Sequence, residues 1–331
     1  MKKKIMAGAL AALLLAAFAA LTGCGSSDEQ RYAWPLATAS PEDTVTQIFA
    51  EKFAGEVYER SGGRMKIQVY ANSTLGGDRE LLETCMDGDI PFVVQNTAPQ
   101  VTFLPDLAVF DLPCVFDSLE ACREKVDEEH FYGLVSDVYT AGGYHLLGMA
   151  DQGFRVMSTN KAVNGVSDFK GQKIRTMENS FHLAFWKALN ANPTPMSFSE
   201  VYIGLQQNTI DAQENPYEVI VSNRLYEQQD YVVETNHLPH LISLIVNDAF
   251  FKNLPEEDQK IMTAAASAAT AYAREASDAR IAERIATIEA SGTTIITLSD
   301  ETRDEMRECA APVYESIRAA VDADIYASYL E

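Results

Sequence analysis

Strands and helices alternate along most of this chain, and that alternation constrains the fold more than any other feature of the sequence. A strand-like run at 32–38 precedes a helical pattern of apolar residues at 45–57, and Met65–Tyr70 returns to strand alternation. The stretch 78–88 is again helical, and 90–94 is a short apolar strand. Strand–helix–strand order is the pattern of a parallel sheet covered by helices, so we predict an α/β fold.

The later part of the chain continues the alternation. Further strands are predicted at 144–150, 154–158, 210–213, 241–246 and 293–298, and further helices at 119–139, 181–189, 198–207 and 255–290. Ser40 is expected to cap the first helix, with Pro41 at its first position. A chain of 331 residues is long enough for two domains of ordinary size.

The charge balance excludes one large class of partners. The chain has 48 acidic residues against 26 basic ones, for a formal net charge of −22. Nucleic-acid binding requires a basic surface, so we expect no such partner. An anionic ligand would be repelled at long range and must be captured by donors close to it.

Motifs of catalysis and metal binding are absent from the sequence. The chain has no GxSxG elbow, HExxH pair or Gly-rich phosphate loop, so we predict no enzymatic activity and no cofactor. His237 and His240 are separated by Leu-Pro, which breaks the helical spacing that such a metal-binding pair needs. We therefore predict no metal site.

The N-terminus has the pattern of a processed lipoprotein. Lys2, Lys3 and Lys4 precede an apolar run at 5–21 that ends in Leu-Thr-Gly-Cys24, which is typical of a bacterial lipobox. We expect 1–23 to be a signal peptide, Cys24 to carry the lipid and 24–30 to be a tether. The alternative is an ordinary signal cleavage site with an incidental cysteine. Either way we expect a location outside the cytoplasmic membrane, in the periplasm or at the cell surface.

Four further cysteines occur in the chain, at 85, 114, 122 and 309. An oxidising compartment permits disulfides, and Cys114 and Cys122 are near enough in sequence to bridge across a turn. Buried free thiols are the alternative, because connectivity cannot be read from a sequence.

Two arginines, Arg155 and Arg175, lie in apolar, strand-like surroundings. A buried guanidinium is tolerated only with an anionic partner. The neighbouring sequence offers no obvious acid for either one. We therefore hypothesise that the carboxylate of a ligand is the partner.

Three motifs, taken together and in order, resemble a known family. They are Asp168-Phe-Lys-Gly-Gln-Lys-Ile-Arg175, Pro193-Thr-Pro-Met-Ser-Phe-Ser-Glu-Val-Tyr202, and Gly204-Leu-Gln-Gln followed by Asp211-Ala-Gln-Glu-Asn-Pro216. They resemble the DctP-type substrate-binding proteins of TRAP transporters, the tripartite ATP-independent periplasmic uptake systems. The resemblance implies a two-domain periplasmic binding protein, type II-like, with a ligand cleft between the domains and a long helix spanning both. It implies domain I at 30–152 plus 241–280, and domain II at 153–240 plus 281–331.

The resemblance also implies site residues. Arg175 matches the arginine that clamps a ligand carboxylate, Asn215 an asparagine that bonds the same group, and Arg155 a second basic contact. Phe198 falls where the family packs an aromatic ring against the ligand. Positions that vary with specificity in the family correspond to Gln95, Asn96, Asp78, Glu178, Asn179 and the turn at Ser40. The alternatives are structural ion pairs for the arginines, a turn role for Asn215 and core packing for Phe198.

The function implied is capture of a small organic acid through an arginine–carboxylate clamp, with domain closure and delivery to the small and large subunits of a membrane permease. Polar candidates around the cleft favour a hydroxylated acid such as a sugar acid. A four-carbon dicarboxylate and a chemosensory ligand-binding module are the alternatives. We expect the binding protein to act as a monomer.

Overall fold

The computed structural model describes residues 32–331. The predicted signal peptide, Cys24 and the tether at 24–30 therefore lie outside the described residues. In this described part, no helix combines the length and the apolar character that crossing a membrane requires.

Nine strands of the described chain belong to one mixed sheet. Their order is β2-β1-β3-β8-β4-β7-β5-β6, and β9 pairs with β8 beside that path. The strands are β1 (Tyr32–Ala37), β2 (Met65–Tyr70), β3 (Phe92–Asn96), β4 (Tyr144–Thr159), β5 (Lys173–Thr176), β6 (Asn192–Pro195), β7 (Ala212–Asn215), β8 (Tyr231–Asn247) and β9 (Thr294–Thr297).

The strands pair in both senses, so the sheet is not the purely parallel one that the alternation indicates. β1 is parallel to β3, and β5 is parallel to both β6 and β7. β8 is antiparallel to β3 and β4, and β4 is antiparallel to β7. The two long strands β4 and β8 thus join two parallel groups of strands into one sheet.

The sequence analysis predicted strands that were too short at β4 and β8. It divided β4 at Asp-Gln-Gly and began β8 only at Leu241, whereas both strands run continuously for 16 and 17 residues. The polar tripeptide is accommodated within β4 because the register shifts between Asp151 and Phe154. Gly153, with φ at +93°, provides the left-handed backbone that such a bulge needs.

Twelve α-helices accompany the sheet in the described chain. They are α1 (Val45–Arg60), α2 (Asp78–Asp87), α3 (Leu119–Asp127), α4 (Glu129–Ala141), α5 (Ser180–Ala188), α6 (Val201–Gln206), α7 (Tyr217–Ser222), α8 (Asp248–Asn253), α9 (Glu256–Ala290), α10 (Asp300–Cys309), α11 (Ala311–Ala320) and α12 (Ala323–Leu330).

Two predicted helix boundaries differ from those of the structure. Thr44 rather than Ser40 caps α1, because its hydroxyl accepts a hydrogen bond from the Gln47 amide at 3.4 Å. The helix predicted at 119–139 is two helices, α3 and α4. Glu128 separates them with an extended backbone at ψ 125°.

Helix α9 is 35 residues long and spans about 50 Å at the usual rise per residue. It packs against α1, β4 and α7. Its contact face is made of small buried side chains such as Ala265, Ala269 and Ala273. Gly148 of β4 approaches closely enough that a Cβ there would lie 2.4 Å from Oγ1 of Thr270. The predicted α/β fold with one long helix is confirmed.

The four cysteines of the described chain are free thiols. Cys114 and Cys122 are both buried and unbridged, which agrees with the alternative of buried free thiols. Burial raises the pKa of Cys122 to about 12, so this thiol stays protonated at neutral pH.

Candidate functional site

The carboxyl ends of five strands border the candidate site. β5, β6 and β7 end at Thr176, Pro195 and Asn215, and β1 and β3 end at Ala37 and Asn96. Ligand crevices of α/β sheets characteristically lie outside the carboxyl ends of parallel strands. Two adjoining cavities occur here, of about 410 Å³ and about 30 Å³.

The two cavities share four lining residues and are therefore parts of one site. The shared residues are Asp78, Arg175, Met177 and Phe198. Other sequence-predicted residues line only one of them: Glu178 and Asn179 the larger, and Ser40, Asn96 and Asn215 the smaller. The structure thus brings eight of the ten predicted residues to the cavities. Gln95 and Arg155 are the two that do not line either one.

Arg175 is a buried cation, and no carboxylate of the described residues forms an ion pair with it. It is 2% exposed, and its Nε and Nη2 donate to the carbonyl of Met196 at 2.9 and 2.6 Å. Its Nη1 has no hydrogen-bond partner among the described residues. Burial lowers the pKa of Arg175 to about 10, although the charge of Glu214 opposes that shift. The side chain is therefore still a cation at neutral pH, with donor capacity left for an anion.

Each nitrogen of the Arg155 guanidinium has a hydrogen-bond partner within the protein. Its guanidinium donates to both carboxylate oxygens of Glu214, to Nδ1 of His240 and to Oδ1 of Asn215. The hypothesis that a ligand carboxylate is the partner of Arg155 is wrong, because β4 pairs with β7 and brings Glu214, which is distant in sequence, beside it. Arg155 holds Asn215 and His240, both of which line the smaller cavity.

Asn215 and His240 both line the smaller cavity, and their contacts fix the free donors of the first and the protonation state of the second. Asn215 accepts from Arg155 and donates one amide proton to Gln213 at 2.6 Å, so a second amide proton remains. Burial, and then the charge of Arg155, hold the pKa of His240 well below its ordinary value. His240 is therefore neutral, and its Nδ1 accepts from the arginine.

Asn179 is occupied by structural hydrogen bonds at the edge of the larger cavity. Its side-chain oxygen caps α5 by accepting from the amides of Phe181 and His182. Its side-chain nitrogen donates to the carbonyl of Ala98 at 2.9 Å and to Asp111 at 2.6 Å. Asn179 thus ties the start of α5 to the segment beyond β3.

A buried ion pair fixes the same helix. His182 of α5 lies 2.9 Å from Asp111 and 3.9 Å from Glu214. Burial alone would lower its pKa, but Asp111 and Glu214 raise that pKa to about 9. His182 is consequently an imidazolium at neutral pH.

Acidic groups border the site as well. Asp78 is the first residue of α2 and lines both cavities. Burial raises the pKa of Asp78 to about 6, against the opposing charge of Arg175. Glu178 is exposed at the rim of the larger cavity. Glu80 also lines the larger cavity, so the site combines one buried cation with three nearby acids.

Phe198 and the residues of β3 complete the site. The ring centroid of Phe198 is 5.9 Å from the guanidinium carbon of Arg175, within cation–π range. Asn96 donates to the carbonyl of Leu241 at 2.8 Å while lining the smaller cavity. Gln95 is 1% exposed, and its amide atoms have no partner within the described chain.

Sequence reasoning missed two contributors to the site. His240 was considered only as a metal ligand, yet it lines the cavity beside Arg155. The Met196 carbonyl holds Arg175, and no side-chain pattern could indicate that. Among residues 32–331 no cluster of three or more His, Cys, Asp or Glu side chains could hold a metal ion.

The sequence matches a known protein family over most of its length. Residues 36–320 match the profile described as Bacterial extracellular solute-binding protein, family 7 (DctP). The ectoine/5-hydroxyectoine-binding periplasmic protein UehA of Ruegeria pomeroyi is 31% identical over 293 residues, which cover 87% of this chain and 84% of UehA.

Two solved structures are similar in fold. The sugar acid binding protein DctPAm from Advenella mimigardefordensis, in complex with galactonate, has a TM-score of 0.87 at 27% identity, covering 91% of this chain and 97% of that one. A TRAP periplasmic solute binding protein from Polaromonas sp. JS666, bound to D-erythronate, has a TM-score of 0.86 at 30% identity, covering 91% and 98%.

The similarity confirms the two-domain periplasmic-binding fold. It also confirms that the protein is a transport protein and not an enzyme. TRAP solute-binding proteins are periplasmic and work with membrane permease subunits. The chain therefore belongs to family 7 of the bacterial extracellular solute-binding proteins, the solute-capturing components of TRAP transporters.

Proposed function

We propose that this protein captures a small hydroxylated monocarboxylate, with sugar acids as the favoured class, by seating the carboxylate on Arg175. One observation carries the proposal: a guanidinium that is 2% exposed lines both cavities, and among residues 32–331 only a backbone carbonyl accepts its hydrogen bonds. A planar guanidinium is suited to two parallel hydrogen bonds with a carboxylate. The galactonate and D-erythronate bound by the similar proteins support this ligand class.

The other site residues have distinct roles in this proposal. The second amide proton of Asn215 donates to the same carboxylate, and Phe198 packs on the body of the ligand. Arg155 acts indirectly, because its donors are already used by Glu214, His240 and Asn215. Ser40 and Asn96, which also line the smaller cavity, contact the ligand there.

Asp78 and Glu178 set the preference for one carboxylate over two. Ligand hydroxyls donate to these acids, whereas a second carboxylate beside them is repelled. This disfavours the four-carbon dicarboxylate that the sequence left as an alternative. A cationic group would also suit the two acids, so ectoine belongs among the compounds to be compared.

Ligand capture is proposed to close two domains, 30–152 plus 241–280 and 153–240 plus 281–331. Ser40 and Asn96 of the first domain and Arg175 and Asn215 of the second all line the smaller cavity. The register shift between Asp151 and Phe154 supports a boundary at that position. A ligand held from both sides favours the closed conformation, which the permease then receives.

Anchoring by a lipid on Cys24 also remains a proposal. It is supported by the three lysines, the apolar run and the Leu-Thr-Gly-Cys sequence. Replacing Cys24 by serine should move the protein from the membrane fraction to the soluble fraction of cells. Unchanged fractionation would refute the anchor.

A thermal-shift panel tests the ligand class directly. D-galactonate, D-erythronate, succinate and ectoine are compared at equal concentration, because a ligand that binds the native state raises the melting temperature by mass action. We expect the two sugar acids to raise it and succinate to leave it unchanged. A rise with succinate or ectoine alone would overturn the proposed class.

The role of Glu178 is tested by Glu178→Gln. Loss of its charge should improve succinate binding by roughly fivefold, about 1 kcal/mol, while sugar-acid binding is not improved. Glu305→Gln, a substitution at an exposed site on α10, is the matched control. If calorimetry shows equal succinate affinity in Glu178→Gln and in the control, Glu178 does not select against a second carboxylate.

A further inference from the structure

A separate cavity of about 180 Å³ lies where both long strands lose their regular pairing. Gln152 and Gly153 form the bulge of β4, and Asn236, with φ at +42°, lies in the irregular part of β8. These residues line the cavity, and none of its lining residues belongs to the two cavities of the ligand site. We call it the hinge cavity, because the proposed domain boundary falls at Gln152 and Gly153. Bulges of this kind are frequent beside functional sites.

Buried polar atoms of the hinge cavity have unused hydrogen-bonding capacity. Gln152 is 1% exposed, and within the described chain neither its Oε1 nor its Nε2 has a partner. Glu218 is also 1% exposed, and its Oε2 has no hydrogen-bond partner there. Leaving such groups unpaired in a folded protein is unfavourable, so this arrangement suits a bound molecule that pairs with them.

The other residues that line the hinge cavity indicate the shape and charge of a molecule that could bind there. Leu119, Phe154, Ile281 and Ile285 provide apolar surface. Glu218 and Glu234 both line the cavity, so an anion is disfavoured. The volume is comparable to that of an engineered apolar cavity of about 150 Å³ that binds benzene.

We propose that the hinge cavity is a second binding site, for a small uncharged molecule with a primary amide group and a branched aliphatic or aromatic body. The amide carbonyl accepts from Nε2 of Gln152. The amide nitrogen donates to Oε1 of Gln152 and to Oε2 of Glu218. This pairing satisfies all three unused atoms with one head group, while the body lies against Ile281 and Ile285.

The hinge cavity is connected to the ligand site through α7. Tyr217 and Glu218 of this helix line the hinge cavity, and Val219, the next residue, lines the smaller ligand cavity. A molecule that orders α7 through Glu218 therefore acts on a wall of the ligand site.

A second connection runs through the arginines of α9. Oε1 of Glu218 accepts from Arg280 at 2.8 Å and from Arg284 at 3.1 Å. Both arginines also bind Asp43, at 2.6 and 2.8 Å, close in sequence to Ser40 of the ligand site. Occupancy of the two sites is therefore coupled, and by linkage the coupling is reciprocal. The coupling rests on the proposed function, whereas binding in the hinge cavity does not.

Binding is tested with isobutyramide and benzamide as probes, and with isobutyrate as the charged analogue. Nuclear magnetic resonance follows the side-chain amide of Gln152 in the wild-type protein, identified by its loss in Gln152→Leu. We expect a saturable shift with both amides and none with isobutyrate. No saturable shift with either amide, or an equal shift with isobutyrate, would overturn the proposed site.

A pair of substitutions checks that the probes occupy the cavity. Ile281→Trp fills it and should abolish the shift, whereas Ile203→Trp, at a position 49% exposed, should leave it unchanged. Persistence of the shift in Ile281→Trp would contradict the site. If that variant does not fold, Gln152→Leu replaces it, with amide binding measured by saturation transfer on the probe and expected to be lost.

Coupling is tested by measuring the affinity for the acid identified in the thermal-shift panel, with and without saturating isobutyramide. We expect roughly fivefold tighter binding of the acid when the amide is present, a coupling of ordinary size. Unchanged affinity would refute the coupling but not the site. Failure of the whole acid panel would refute the proposed function, and the resonance test of the hinge cavity would still stand.

Discussion

At the scale of single residues, the two buried arginines of the site differ in what neutralises them. Arg155 is neutralised by Glu214, an acid on the neighbouring strand, and each of its guanidinium nitrogens has a hydrogen-bond partner. Within the described chain, the hydrogen bonds of Arg175 go only to the Met196 carbonyl. Because an uncompensated buried charge is costly, Arg175 rather than Arg155 is the arginine proposed to receive the ligand anion.

Replacing Arg175 by alanine should weaken binding of the acid by at least roughly thirtyfold, about 2 kcal/mol, because one partner of a desolvated charge pair is lost. Arg175→Lys should recover only part of the affinity, since an ammonium group cannot form two parallel hydrogen bonds. Isothermal calorimetry measures both. Arg318→Ala on α11, where the side chain is 66% exposed, is the control and should bind like the wild type. An Arg175→Ala variant that binds the acid with wild-type affinity would refute the role of Arg175 as the carboxylate clamp.

The sequence could indicate Arg175 but not the partner of Arg155. The motif Lys-Ile-Arg identifies Arg175 as a candidate ligand contact from the local sequence alone. Glu214 lies 59 residues after Arg155, and the two meet only because Val156 pairs with Asn215 across β4 and β7. Such a register depends on long-range pairing, which local patterns do not specify.

At the scale of elements, close contact between β4 and α9 depends on the absence of a side chain at Gly148. A Cβ added there would lie 2.4 Å from Oγ1 of Thr270 and 3.7 Å from the carbonyl of Ala266. No L-residue fits that space without movement of the helix or of Thr270. The contact fixes the distance of the long helix from the sheet.

Gly148→Ala should therefore lower the free energy of unfolding by about 1–3 kcal/mol, the usual effect of overpacking. Chemical denaturation measures the change. Thr270→Ala in the same chain removes the clashing hydroxyl and should restore most of the stability. Gly133→Ala, at a helical position with open space around it, is the control and should not destabilise the protein. A Gly148→Ala variant as stable as the wild type would contradict the close contact.

Helix α5 is held by a charge that depends on pH. The pKa of His182 is about 9 in the folded protein, against an ordinary value of 6.5. Because the folded-state pKa is the higher one, the stabilisation is fully present below about pH 6.5 and is lost as pH rises through about 9. The groups around His182 are Asp111 and Glu214, with Arg155 and His237 also bonded to Glu214.

We expect the free energy of unfolding to decrease by an amount on the order of 1–3 kcal/mol between pH 6.5 and 9.5. His182→Gln should flatten this part of the profile, because glutamine keeps a donor but carries no charge. Urea denaturation across that pH range measures both proteins. Parallel profiles for wild type and variant would show that His182 is not the titrating group.

Helices and strands whose apolar residues recur at regular spacing could be predicted from the sequence. The first half of β8 could not. Helix α9 begins after Pro255 and ends before Gly292, as these residues indicate. The first half of β8 contains Asn236 in a left-handed conformation and Pro239, both of which argue locally against a strand. Pairing with β4 on one side and β9 on the other outweighs those local preferences.

At the scale of the whole molecule, the net charge of −22 opposes the approach of an anionic ligand. Added salt screens this repulsion, because the Debye length falls to about 10 Å at 0.1 M. The association rate constant of a sugar acid should therefore rise by roughly twofold between low and physiological salt. Stopped-flow fluorescence measures it. A steep decrease with salt would show that local attraction dominates the approach of the ligand.

The pairing of β3 with β8 also has a consequence for the order in which the chain can fold. Phe92 pairs with Val246, so β3 has an unsatisfied edge until roughly 150 further residues have been synthesised. Each parallel group comes from a contiguous piece of chain, 32–96 and 173–215, but the two groups are not joined into one sheet until β8 has been made. Truncated products that end before Asn247 should therefore expose an open apolar strand edge and aggregate. Completion of the sheet therefore depends on β8, which lies in the last third of the polypeptide.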